Sequence, residues 1–119
     1  MAKLQNVLAH NASRLRMVMG KTQKQIAVMA GVSQKTISTL ETQDSPISPR
    51  LATLEAVATS FKLHPAILLL EGITDEALTD REVGIMIEKF AALPAHRKRQ
   101  IIEMIRDYHA LEEVGRKTD

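Results

Sequence analysis

Residues 23–42 read Gln23-Lys24-Gln25-Ile26-Ala27-Val28-Met29-Ala30-Gly31-Val32-Ser33-Gln34-Lys35-Thr36-Ile37-Ser38-Thr39-Leu40-Glu41-Thr42. Two short helices are written into this stretch. Thr22 with Gln25 is a capping box that opens the first. Gly31 stops it and supplies the left-handed backbone that a tight helix-to-helix turn requires. Ser33 is a good N-cap for the second helix, which runs to about Glu41. Ala27 is small, so the second helix can approach the first closely. Ile26, Ala30, Val32, Ile37 and Leu40 point inward. Ser33, Gln34, Lys35, Ser38 and Thr39 are left on the outer face of the second helix. They are donors and acceptors of the kind that read base edges in a major groove.

The same periodicity extends in both directions. Upstream, Leu4, Val7, Leu8, Ala12, Leu15 and Val18 or Met19 recur at three and four residues and predict one buried helix face, ended by Gly20. Downstream, Thr42 to Pro46 is a loop by composition. Ser48-Pro49 predicts a new helix, Ser as N-cap and Pro at the first helical position, with Leu51, Leu54, Val57, Ala58 and Phe61 buried. His64-Pro65 opens a fifth short helix through about Leu70. Glu71-Gly72-Ile73-Thr74 reads as a boundary. Beyond it Thr79-Asp80-Arg81-Glu82 is a second capping box, and Val83, Met86, Ile87 and Phe90 line a helix to Ala92. Leu93-Pro94 breaks it, and a last helix carries Ile101 to Leu111 and ends near Gly115. The expectation is all-α: a five-helix domain over 1–72 and a two-helix extension over 73–119.

Composition narrows the function. The 119 residues contain no cysteine, so disulfides and thiolate zinc sites are excluded. The longest apolar run, Ala66 to Leu70, is far too short to span a bilayer, and no leader pattern opens the chain, so a soluble cytoplasmic protein is expected. Residues 1–66 hold eight cations against three anions, whereas 67–119 hold eight against eleven. A basic front half implies that this half meets a polyanion. His10, His64, His96 and His109 show no metal-ligand spacing and no Gly-rich phosphate loop occurs, so no metal, cofactor or enzymatic activity is expected.

The stretch resembles the helix-turn-helix of the lambda-repressor-like family, the phage repressor and Cro group with its bacterial (XRE-type) relatives. Thr22-Gln23, Ala27, Gly31-Val32-Ser33, Ile37 and Leu40-Glu41 carry the likeness, with Ser48-Pro49, Leu51, Leu54, Ala58 and Phe61-Lys62-Leu63 resembling the fourth helix. It covers about residues 7–71. The resemblance implies that Gln34, Lys35 and Thr39 contact bases, with Ser33 and Ser38 flanking. Gln23 resembles the family's phosphate-contacting glutamine, placed at a helix N-terminus where free N–H groups attract phosphate. Lys21, Lys24 and Arg50 are neighbouring phosphate candidates. Arg16 and Glu41 resemble a structural ion pair. The loop 42–47 departs from the family by lacking Asn-Gly and basic residues, and Asp44 repels phosphate.

One such domain presents few base contacts, so pairing is expected. The last helix is apolar over a wide face, and Ile101, Ile102, Ile105 and Tyr108 are expected to pack on the preceding helix and on a second chain. Three functions fit: a regulator, most simply a repressor, on a pseudo-palindromic operator in double-stranded DNA; an antitoxin whose acidic back half holds a toxin; or an interaction adaptor. An antirepressor is another candidate protein partner.

Overall fold

A computed structural model describes residues 3–118. The helices are α1 (Leu4–Val18), α2 (Gln23–Ala30), α3 (Gln34–Leu40), α4 (Leu51–Ser60), α5 (Asp75–Leu78), α6 (Arg81–Ala91) and α7 (Ala95–Thr118), with a 3-10 turn at Pro65–Leu69 and no strand among the described residues. The chain divides into two compact units, Met1–Ile85 and Met86–Asp119.

The first unit is a bundle around Leu8, Leu15, Ile26, Ile37, Leu40, Leu54, Val57, Ile67, Leu68 and Leu78, all buried. Each such side chain contributes roughly 1.5–3 kcal/mol of transfer free energy. Local chemistry sets the helix ends. The Gln25 N–H donates to Thr22 Oγ1 at 3.1 Å while Thr22 N donates to Gln25 Oε1 at 2.8 Å, closing the capping box on α2. Gly31 takes φ 71°, ending α2 and turning the chain into α3. Ser33 Oγ accepts from Thr36 N at 3.1 Å and caps α3.

Several expected positions differ. Leu4, Val18 and Met19, at the two ends of α1, are exposed, whereas Asn11, midway along the helix, is buried. Asn11 Nδ2 donates to the carbonyls of Leu68 at 3.0 Å and Leu70 at 2.9 Å, satisfying the end of the 3-10 turn. Helix α4 begins at Leu51 with Arg50 as N-cap and no side-chain cap bond, so Ser48-Pro49 does not open it. Leu51 at its first position is 82% exposed. The preceding loop is anchored elsewhere: Asn6 Nδ2 donates to Asp44 Oδ1 at 2.9 Å, Asp44 N to Asn6 Oδ1 at 2.8 Å, and Gln5 Nε2 to the Ser45 carbonyl at 2.7 Å.

The expected fifth helix is the 3-10 turn, capped by His64 Nδ1, which accepts from Ala66 N at 3.0 Å. An additional turn of helix, α5, follows it under Thr74, whose Oγ1 accepts from Ala77 N at 3.1 Å. Thr79 therefore ends α5, and Asp80 opens α6 by accepting from Glu82 N at 2.9 Å. Leu78 is fully buried, and Arg14 Nη1 meets Asp75 Oδ1 at 3.0 Å. These contacts carry the first compact unit past the composition break at 71–74. Gly84 is buried against His64, where a Cβ would lie 2.8 Å from the His64 Cβ, so only glycine permits this approach.

The second unit has almost no interior. None of the side chains described from Met86 to Arg116 is buried; Ile87, Phe90, Leu93, Lys98 and Ile101 are half-covered and the rest are exposed. Lys98 Nζ lies 5.9 Å from the Phe90 ring centroid. Helix α7 continues through Gly115 to Thr118, beyond the expected end, because a helix interior tolerates one glycine at about 1 kcal/mol.

Candidate nucleic-acid interface

Helix α3 is two-sided. Ile37 and Leu40 are buried against the rest of the first unit. Gln34, Lys35 and Ser38 are exposed, and Thr36 and Thr39 are half-buried on the shoulder. No hydrogen bond or ion pair among the described residues engages the side chains of Gln34 or Lys35, so their donors and acceptors face outward. Ser33 differs, since its hydroxyl caps the helix and lies 2.8 Å from Thr36 Oγ1.

A groove of about 470 Å³ runs beside this face, lined by the N-cap Ser33, by Lys35, Thr36 and Thr39 from α3 and by Ile47, Ser48, Pro49 and Arg50 from the following loop. It brings Ser33, Lys35, Thr39 and Arg50 together. Gln34 and Ser38 lie outside it. No carboxylate is among its lining residues, and Lys35 and Arg50 make it electropositive. Ile47, 58% exposed, was not singled out in the sequence. The available signal was an isoleucine inside an otherwise polar loop.

The other side of the helix pair is held by a polar cluster. Arg16 Nε lies 2.9 Å from Glu41 Oε2 and Arg16 Nη2 lies 2.9 Å from Glu41 Oε1, a two-pronged pair joining α1 to the end of α3. Arg16 Nη1 also donates to the Lys21 carbonyl at 3.1 Å. The hydrogen bond to Glu41 raises the Arg16 pKa further above its ordinary value against the opposing effect of burial, so the guanidinium is charged throughout the usable pH range. Gln23, the first residue of α2, places Nε2 3.5 Å from Glu41 Oε1. The pair thus orients the residue at the N-terminus of α2. Lys24 is exposed and Lys21 half-buried nearby. Asp44 is tied to Asn6 and takes φ 54°.

Of the residues expected to mediate pairing, Ile101 is half-buried while Ile102, Ile105 and Tyr108 are exposed. Among the described residues no helix is long and apolar enough to cross a membrane.

Residues 14–68 match the model of the Helix-turn-helix family. The match begins in α1 and ends in the 3-10 turn, so it contains α2, α3, α4, the Arg16–Glu41 pair and the groove. No curated protein and no solved structure matches the chain.

Proposed function

We propose that residues 14–68, which match the Helix-turn-helix family, form a DNA-binding domain of the lambda-repressor-like type, and that the protein represses transcription as a homodimer on a pseudo-palindromic operator. One observation carries the reading: on the polar outer face of α3 Gln34 and Lys35 are exposed with unengaged side chains, while Ile37 and Leu40 on the inner face are buried in the core. A helix held this way enters a major groove. Gln34 pairs with adenine through two hydrogen bonds and Lys35 donates to guanine O6 and N7, each good pair being worth roughly 1–3 kcal/mol of discrimination. Thr39 contacts a base or a thymine methyl, and Ser38 and Ser33 flank them. Gln23 binds phosphate with the free N–H groups of α2, and Lys21, Lys24 and Arg50 add charge. The Asp44 loop adds none, so tight binding relies on two subunits.

Pairing is supported by the second unit, in which no described side chain is buried although apolar residues recur along α7. Half-sites about one helical turn apart are expected for such a dimer. The second reading is an antitoxin that binds its own promoter and a toxin. It draws on the excess of eleven anions over eight cations after residue 66, and a small basic protein retained by the purified chain would favour it.

Selection of bound duplexes followed by fluorescence anisotropy tests the proposal. Gln34→Ala with Lys35→Ala should remove the preference for the selected site while weak binding to random duplex persists. Equal loss on both duplexes would contradict the assignment, and absence of any duplex binding by the native chain would remove the function.

A further inference from the structure

Helix α7 spans 24 residues, about 36 Å at 1.5 Å per residue. Arg97, Ile101, Met104, Tyr108, Leu111 and Gly115 follow one another at alternating intervals of four and three, the a and d spacing of a two-stranded coiled coil. Met104, Tyr108 and Leu111 are each more than half exposed in the single chain. An exposed apolar stripe of this kind marks an interaction surface.

Charge along the helix decides what covers that stripe. Arg97-Lys98-Arg99 lies at the start of α7 and Glu112-Glu113 near its end. Resting on the dimer reading above, we infer that α7 pairs with α7 of a second copy in antiparallel sense, centred near Ile105 and Arg106. Each a residue then faces a d residue of the other copy: Ile101 faces Leu111, Met104 faces Tyr108, and Arg97 lies over Gly115. Among the described residues, and apart from the helix's own neighbouring backbone, no atom lies within 4 Å of a Cβ built on Gly115, which leaves room for the Arg97 side chain. Along the flank, Lys98 meets Glu112 twice and Ile105 meets itself. On the other flank Asp107 meets Asp107 once, a like-charge contact set against the two Lys98–Glu112 pairs. A parallel pair has no such compensation. It stacks each basic run on its own copy, sets Asp107 against Glu112, and leaves a hole between two Gly115 residues. Like charges directly opposed are unfavourable, and flanking charges of this kind set helix orientation.

The chain contains no cysteine, which makes the sense of pairing directly measurable. Full-length Ile101→Cys and Leu111→Cys variants are oxidised separately and as an equimolar mixture, after sedimentation equilibrium of the native chain. Antiparallel pairing predicts no self-coupled product from either variant alone and a disulfide-linked heterodimer from the mixture, since like positions lie about 15 Å apart along the axis. Self-coupling of each variant alone overturns the antiparallel sense while the dimer stands. A native chain that sediments as a monomer overturns both. As an independent check, Lys98→Glu and Glu112→Lys should each weaken dimerisation about tenfold, and the two together should restore it to within about threefold. A double variant weaker than either single one overturns the pairing.

Discussion

Replacing Glu41 with alanine tests whether the Arg16–Glu41 pair holds the helix pair in place. The Glu41 side chain is 7% exposed and that of Arg16 20%. The substitution deletes contacts of 2.9 and 3.1 Å from Nε and 2.9 Å from Nη2. It leaves a largely buried guanidinium with one remaining protein acceptor, the Lys21 carbonyl. Removing one partner of a buried pair costs about 3–5 kcal/mol. Residual hydration of Arg16 and the retained carbonyl bond reduce this, so about 2–3 kcal/mol is expected. For a domain of this size that lowers Tm by roughly 10–20 °C. Urea unfolding followed by circular dichroism measures it. The companion variant, Arg16→Met with Glu41→Leu, removes both charges and substitutes apolar contact; it should lie within about 1 kcal/mol of the native chain. A raised arginine pKa gives stability that is present below its folded value and lost only as pH rises through it, so no pH dependence from Arg16 is expected between neutral and mildly alkaline conditions. A loss below about 1 kcal/mol for Glu41→Ala, or a double variant as unstable as the single one, would refute the reasoning.

Other expectations follow from particular contacts. Gly31→Ala forces a side chain into a backbone with φ 71° and should cost about 1–2 kcal/mol by chemical denaturation. Asn11→Ala strips the donor from the Leu68 and Leu70 carbonyls and should cost about 2–3 kcal/mol, with faster amide exchange across residues 65–70. Gly84→Ala places a methyl 2.8 Å from the His64 Cβ and should destabilise by about 1–3 kcal/mol, a neutral result disproving the close approach. Lys24→Gln should weaken specific and random DNA binding alike and reduce the slope of log K against log salt by about 1, whereas an unchanged slope removes Lys24 from the phosphate contacts.

The helix pair at 22–40 was legible because its signals are local. A capping box, a glycine at the turn and an N-cap serine act within four residues, and a period of 3.6 separates Ile37 and Leu40 from Gln34 and Lys35. The segments read less well are those where two local signals compete. Ser48-Pro49 carries a helix-start pattern, yet the loop before it is tied to α1 through Asn6 and Gln5, and the helix waits until Leu51. At 74–82 two threonine caps are available, and burial of Leu78 selects Thr74 for the first and leaves Asp80 to open α6. Asn11 was indistinguishable from a surface residue, since its partners are carbonyls 57 and 59 positions away.

Composition, spacing and turn chemistry by themselves determined an all-helical chain, the placement of the turn at Gly31 and the division of α3 into a core side and a polar side. These depend on hydrogen bonds and side-chain periodicity within a few residues, which any linear reading contains. Only the tertiary structure decided that Arg50 and Ile47 share a groove with Lys35, that Gln23 joins the Arg16–Glu41 pair at the Glu41 carboxylate, and that the second compact unit has no buried side chain among those described. Such facts come from packing between distant segments, where the free energy of burying a side chain outweighs its local preference.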